Sequence, residues 1–189
     1  MWSHLTDPPD PAHVARVVTA LDAAPARCGA VRVVTIDGPS GSGKTTLARG
    51  VGEALGAPVV HMDRIYPGWD GLAESVGLLV EQVLGPVARG EAAAYRVWDW
   101  DRGGWRGSKS VPRTGVLVVE GCGSSVGPAG ECAAVRVWLE APRDERRRRG
   151  LARDGEAYRP HWEQWAAQED SLYARDGTRA KADLVIATG

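Results

Sequence analysis

The sequence predicts an α/β fold, a parallel sheet of five strands layered between helices, and three observations lead there. Short apolar, β-branched runs at 31–36 (VRVVTI), 58–60, 116–119 (VLVV), 135–139 (VRVWL) and 183–186 (DLVI) lack the alternation of a half-exposed strand, as strands buried on both faces should. Most are separated by stretches with apolar residues at helical spacing, which places helices over both faces of the sheet. At 189 residues and 43% hydrophobic content, the chain is long enough for one such domain and too short for two.

The elements follow in order. Pro8, Pro9 and Pro11 predict an irregular start, after which Val14, Val17, Val18 and Leu21 mark a short amphipathic helix. The strand at 31–36 stops at Asp37-Gly38, and from Lys44 the pattern turns helical, with Leu47, Val51 and Leu55 on one stripe. A second strand at 58–60 runs into His61-Met62-Asp63 and a loop holding Pro67 and Gly68. Leu72, Val76, Leu79, Val80, Val83 and Leu84 then share a helical face, which Gly85-Pro86 should weaken at its end. Residues 95–98 fit a strand. Residues 99–113 are too rich in Gly, charge and Trp for a regular buried element, so 95–113 reads as an excursion facing a substrate. Helices are expected at 144–154 and 158–173.

Lys and Arg number 23 against 24 Asp and Glu, and a net charge of −1 offers no general attraction to nucleic acid or to an acidic membrane. No apolar stretch approaches the roughly 20 residues of a membrane span, and residues 1–10 lack leader character, so a cytoplasmic location is expected. Cys28, Cys122 and Cys132 show neither a disulfide framework nor a C-x-x-C zinc spacing and are expected to be small buried residues. His4, His13, His61 and His161 lack metal-ligand spacing too.

One segment is far more specific than the rest. Gly38-Pro39-Ser40-Gly41-Ser42-Gly43-Lys44-Thr45 satisfies G-x-x-x-x-G-K-[ST] between a strand and a helix, the context a phosphate-binding loop needs. Its glycines let the backbone close on phosphates, and consecutive N–H groups at a helix N-terminus favour an anion. Gly38, Ser40, Gly41, Ser42, Gly43, Lys44, Thr45 and Thr46 are therefore the expected ATP contacts. Lys44 bridges the terminal phosphates, and the Thr45 hydroxyl is a ligand for Mg²⁺. The three-layer P-loop NTPase fold follows.

Ligands of an open parallel sheet gather at the carboxyl ends of its strands, where Asp37, Asp63 and Glu120 are all acidic. Glu120 occupies the place of the second Mg²⁺ ligand, usually through water. Asp63 can orient an acceptor hydroxyl or take its proton, and Asp37 suits a bracing role. Arg143, Arg146, Arg147, Arg148, Arg149 and Arg153 form the densest basic cluster, in which Arg146, Arg149 and Arg153 share a helical face. No stacking aromatics interleave the cluster, which argues against an RNA-binding arm. Trp98, Trp100 and Trp105 are candidates for an aromatic pocket, whereas Tyr158, Trp162, Trp165, Leu172 and Tyr173 read as helix packing.

The wording IDGPSGSGKTT resembles the phosphate loop of bacterial cytidylate kinases, and the chain as a whole resembles the uridine kinase family. Asp63 and Tyr66 are similar to that family's acidic–aromatic pair after the second strand, and Tyr95 with Asp99 to its Tyr-x-x-Asp segment, both with altered spacing. Glu120-Gly121 matches the family's E-G, and Arg153-Asp154 the Arg-Asp pair closing its lid helix. The resemblance implies a helical lid at about 143–157 and a single kinase domain over 1–189. It implies Lys44, Asp63, Arg146, Arg149 and Arg153 in catalysis, with Asp63, Tyr66, Tyr95, Asp99 and Trp100 around a nucleoside-like acceptor. ATP and Mg²⁺ are the expected cofactors, and a small molecule rather than nucleic acid or membrane the expected partner. Two other readings stay open. A nucleoside monophosphate kinase needs cations at the acceptor phosphate, for which Arg64 and Arg102 are candidates, and a regulatory ATPase would bind ATP without phosphorylating a small molecule. No N-K-x-D guanine signature is present.

Overall fold

A computed structural model describes residues 8–189, apart from the side chain of residue 156. Residues 1–7, which hold His4 and most of the segment read for leader character, lie outside the described residues.

Pro11 opens helix α1 (Pro11–Asp22) rather than delaying it, because its missing N–H falls where a helix has no intrahelical acceptor. The Asp10 side chain caps the turn by accepting from Ala12 N at 2.8 Å. Strand β1 (Arg32–Asp37) leads through the glycine loop to α2 (Lys44–Leu55), which ends at Gly56 in the left-handed region. Strand β2 (Val59–His61) passes into a 3₁₀ turn at Met62–Arg64. Helix α3 (Leu72–Leu79) does not stop at Gly85-Pro86. It widens into a π turn at Val80–Leu84 and resumes as α4 (Gly85–Ala88), since a wider turn makes room for a proline ring and tolerates the lost donor.

The expected irregular stretch after residue 98 is regular: β3 (Ala93–Asp99) and β4 (Gly104–Val111) form an antiparallel hairpin separate from the main sheet. Asp99 turns the corner, its Oδ1 accepting from the N–H groups of Asp101 and Arg102, both at 3.1 Å. Most of β4 faces solvent, so it carries no apolar pattern from which a strand could be read.

Strand β5 (Val116–Glu120), helix α5 (Pro128–Cys132), strand β6 (Ala133–Glu140), helix α6 (Arg143–Asp154), helix α7 (Trp162–Asp176) and strand β7 (Leu184–Ala187) complete the chain. The main sheet is five-stranded and parallel, ordered β2-β5-β1-β6-β7. Successive residues of its central strands point into different cores. Val34, Ile36 and Val118 pack with Leu47 and Val51 of α2 and with Val17 and Leu21 of α1. Val33, Leu117 and Val119 pack toward Leu72 and Leu79 of α3 and Trp162, Trp165 and Leu172 of α7. The chain leaves β1 toward α2 on one face and leaves β5 toward α5 on the other. The two strands are neighbours, so their diverging connections open a crevice at their carboxyl ends. No helix among the described residues is long and apolar enough to cross a membrane.

Candidate active site

The loop from Gly38 to Thr45 curls at the mouth of that crevice. Gly38 and Gly41 have φ of 133° and 81°, and a Cβ on them would meet Leu139 O at 2.0 Å and Arg146 O at 2.2 Å, so both positions demand glycine. Gly43 caps α2 without a side-chain hydrogen bond, which leaves the first-turn N–H groups without a side-chain acceptor and directed at the loop's interior. Asp37 braces the base of the loop. It accepts from Gly38 N (2.7 Å), Gly123 N (2.9 Å), Tyr173 OH (2.7 Å), Ser125 N (2.8 Å) and Ser125 Oγ (2.9 Å), which ties β1 to the segment after β5.

Lys44 Nζ donates to Pro39 O at 3.0 Å, spanning the loop. The Thr45 hydroxyl donates to Glu120 Oε1 at 3.2 Å, and His61 Nδ1 lies 2.7 Å from the same oxygen. Burial disfavours the His61 cation, but the hydrogen bond and charge of Glu120 outweigh it and leave the imidazole titrating above its usual range. A hydroxyl beside a carboxylate is a hard-oxygen pair that suits Mg²⁺ shared with phosphates and water. Among the described residues, no group of three or more His, Cys, Asp and Glu side chains could hold a metal without such outside ligands. Loop amides, ammonium and oxygen pair together fit a magnesium-bound polyphosphate.

Asp63 lies on the 3₁₀ turn after β2. Its Oδ1 is buried with no hydrogen-bond partner among the described residues, while Trp100 Nε1 holds its carbonyl at 2.8 Å. Burial, and then the nearby Glu120 carboxylate, push its carboxyl up to about 6.

A cleft of about 350 Å³ runs from the loop to this carboxyl, past Tyr66, Trp69, Trp100, Tyr158, His161 and Trp165. Trp69 stacks on His161 (4.4 Å, 9°) and on Tyr158 (5.5 Å, 17°), with Trp100 tilted against it at 4.6 Å. Gln168 Nε2 donates to Trp69 O at 2.8 Å, and Gln164 Nε2 donates to Asp70 Oδ1, so α7 grips the loop that carries Trp69.

Of the residues expected here, Ser40, Gly41, Gly43, Lys44, Thr45, Thr46, Asp63, Tyr66, Trp100, Glu120 and Arg153 line the cleft. Others are drawn elsewhere. The Gly38 amide is taken by Asp37, and Ser42 is fully buried with its N–H donated to Pro39 O at 3.2 Å. Tyr95 is buried in the core, because the inward face of the hairpin packs against the helices. Asp99 is occupied by its own turn and by Arg106 at 3.3 Å. Trp98 and Trp105 pack edge-to-face on each other in the hairpin, at 5.1 Å, and not in the cleft. The shared face of Arg146, Arg149 and Arg153 splits along the helix. Arg146 reaches behind the loop, Arg149 bonds Glu145 (2.7 Å) and Thr188 O (2.9 Å), and Arg153 enters the cleft paired twice with Asp154, at 2.9 and 2.7 Å. Cys132 is only partly buried.

Sequence reasoning passed over His61, Trp69, Asp154 and His161 as lining or orienting groups, and it assigned Tyr158 and Trp165 to packing alone. Tyr158 and His161 lie in the run of 3₁₀ turns before α7 and Trp165 on α7 itself, so no single helical spacing in the sequence announces that they share a wall.

The loop, its lysine and the Thr45–Glu120 pair at the switch point of this parallel sheet define a P-loop nucleotide-binding domain with the fold of the small P-loop kinases. The family model of the AAA domain matches residues 34–172, and the chain belongs to that family. A cytidylate kinase from Ignicoccus hospitalis is 29% identical over 143 residues, covering 76% of this chain and 77% of that protein. A cytidylate kinase from Nitratidesulfovibrio vulgaris is 57% identical over 37 residues, 20% of this chain, so the match spans only 16% of that relative's length. In fold, the chain is similar to a structure from Bacillus stearothermophilus described as a possible uridine kinase. The TM-score is 0.67 at 20% identity, over 93% of this chain and 97% of that one.

Proposed function

We propose that the chain is an ATP-dependent phosphotransferase that moves a terminal phosphoryl group to a hydroxyl of a nucleoside-like acceptor, giving the monophosphate and ADP. The observation that carries the reading is Asp63: a buried, unpartnered carboxyl oxygen in the same cleft as the loop lysine, beside an aromatic wall. A hydroxyl against that oxygen gains an acceptor for its proton as the phosphoryl group leaves the donor. The aromatic side chains shield a planar group and exclude water, which favours transfer over hydrolysis. Mg²⁺, when bound, neutralises charge on the phosphates; Thr45 and Glu120 would hold it, with His61 orienting Glu120. The chain acts here as a single domain over residues 1–189, in which 143–157 form the lid and the β3–β4 hairpin, which covers most of the excursion expected at 95–113, supports the cleft from behind Asp63 through Trp100.

A specific observation weighs against a phosphorylated acceptor. Among the described residues, the Lys and Arg side chains lining the cleft are Lys44, which belongs to the loop, and Arg153, which is paired with Asp154. Arg64 is exposed and outside the lining, and Arg102 sits on the hairpin turn, 3.9 Å from Asp99.

A coupled assay of ADP release over nucleosides, nucleoside monophosphates, sugars, pantothenate and hydroxylated antibiotics tests the reading, with nucleoside-dependent turnover expected. Turnover confined to monophosphates would replace it, and ADP release indifferent to any acceptor would favour a regulatory ATPase. The lid arginines should separate in the same assay. Arg153→Ala is expected to lower kcat by about 10²-fold with little change in ATP affinity, as for a charged donor aimed at the transferring group. Arg149→Ala, which removes bonds outside the cleft, should change kcat by less than about threefold; equal losses in the two variants would contradict the division of roles along α6.

A further inference from the structure

Ser40 occupies the crown of the phosphate loop, and protein groups hold all three of its polar atoms. Its N–H donates to Glu169 Oε1 at 2.7 Å, its carbonyl accepts from Arg146 Nη1 at 3.2 Å, and its hydroxyl accepts from Tyr158 OH at 2.9 Å. These partners come from α7, α6 and the turn between them, about a hundred or more residues downstream of the loop. Glu169 is 1% exposed and Arg146 8%, and they approach each other at 3.8 Å. Cys122 Sγ donates to the same Glu169 oxygen at 3.1 Å. The α6 backbone also abuts Gly41, whose missing Cβ leaves just enough room for Arg146 O.

A buried carboxylate costs free energy unless donors surround it, and this one has an amide, a thiol and a guanidinium. The mechanism assigns it no proton to move and no substrate atom to touch. What it does hold is the direction of the Ser40 N–H, turned out of the phosphate cradle, and with it the curvature that makes the following amides converge. Burial pushes the carboxyl up, and Lys44 is foremost among the neighbours that pull it back, so the carboxyl also lies within electrostatic reach of the loop ammonium.

We infer that Glu169 and Arg146 are positioning residues for the phosphate loop: by clamping Ser40 from behind, they set the loop in its anion-binding shape. The inference rests on the proposed nucleotide site. Arg146 acts through the loop backbone, and of the three arginines on its helical face only Arg153 serves the cleft. The residues that clamp the loop also include part of the acceptor wall, since Tyr158 bonds Ser40 and stacks on Trp69.

Calorimetric titration with MgADP, well below the melting temperature of each variant, separates positioning from general stability. Glu169→Ala is expected to weaken MgADP binding about tenfold or more in protein whose circular dichroism shows it folded, the effect of losing a hydrogen bond to a charged group. Glu169→Gln keeps an acceptor oxygen for Ser40 N–H and should stay within about threefold of the unsubstituted protein. If Glu169→Ala does not fold, Arg146→Met carries the test: it deletes the donor to the Ser40 carbonyl, together with the guanidinium 5.9 Å from the centre of the Trp162 ring, while keeping an unbranched aliphatic side chain, and about fivefold weaker binding is expected. Unchanged MgADP affinity in a folded Glu169→Ala or Arg146→Met variant overturns the positioning role and leaves the nucleotide site standing. No MgADP binding by the unsubstituted chain removes the nucleotide site, and the inference with it.

Discussion

Lys44→Ala should lower turnover by about 10²- to 10³-fold while the domain remains folded, the loss found when one preorganised donor to a developing charge is removed. The ammonium lies inside the loop, with Pro39 O as its hydrogen-bond partner at 3.0 Å. Among the described residues, the other guanidinium or ammonium lining the cleft is Arg153, which is paired with Asp154 and cannot take over the position between the phosphates without leaving that pair. The structural cost is modest by comparison: Pro39 O loses a donor beside an open cleft that water can enter, about 1 kcal/mol, and the buried Glu169 carboxyl loses the foremost charge that offsets its burial. Steady-state kinetics together with circular dichroism measure both sides. Turnover within a few-fold of the unsubstituted chain would mean that the loop lysine does not meet the transferring phosphoryl group.

Asp63→Asn should divide activity from stability. Activity should fall by about 10²- to 10⁴-fold, the contribution of a well-placed general base, because an amide oxygen cannot take the acceptor's proton. Stability should move the other way. Burial and the Glu120 carboxylate raise the Asp63 carboxyl to about 6, so the folded chain holds a proton there that the unfolded chain has already released. Between about pH 4 and pH 6 the folded state therefore binds more protons, and stability falls as pH rises through that window. Above it the ionised carboxylate costs roughly 2–3 kcal/mol, which asparagine does not incur. In the absence of nucleotide and Mg²⁺, the melting temperature of Asp63→Asn should exceed that of the unsubstituted protein at pH 8, by several degrees for a domain of this size. The gap should close toward pH 4. Near-normal turnover would remove Asp63 from the role of base, and a variant less stable at pH 8 would contradict the cost assigned to its buried carboxylate.

Much of the nucleotide end of the site is legible in the sequence, whereas the acceptor end is legible only in fragments. The glycine loop is contiguous, and each of its requirements is local: a turn that needs positive φ, a helix start, a lysine and a hydroxyl one residue apart. Glu120 and Asp63 can be found because buried parallel strands announce their own ends, and those ends share one edge of the sheet. Tyr95 and Asp99 show the limit. A tyrosine and an acid on a polar segment look like ligand groups, yet the hairpin turns one into the core and spends the other on its own corner.

The aromatic residues make the same point from the opposite direction. Tyr158 and Trp165 sit on an ordinary packing stripe, and Trp69 lies in a loop nearly a hundred residues away. Only when α7 grips that loop through Gln164 and Gln168 do the three rings meet and form a wall.

By itself the sequence determined the layered parallel sheet, the phosphate loop and the acids at the strand ends, because hydrophobic period, glycine placement and strand termination are short-range properties of the chain. Tertiary structure decided which arginine of α6 enters the cleft, which aromatics line it, and that Glu169 stands behind the loop. Those outcomes depend on how helices pack over the sheet, bringing together side chains that are far apart along the chain, and no local pattern specifies such pairings.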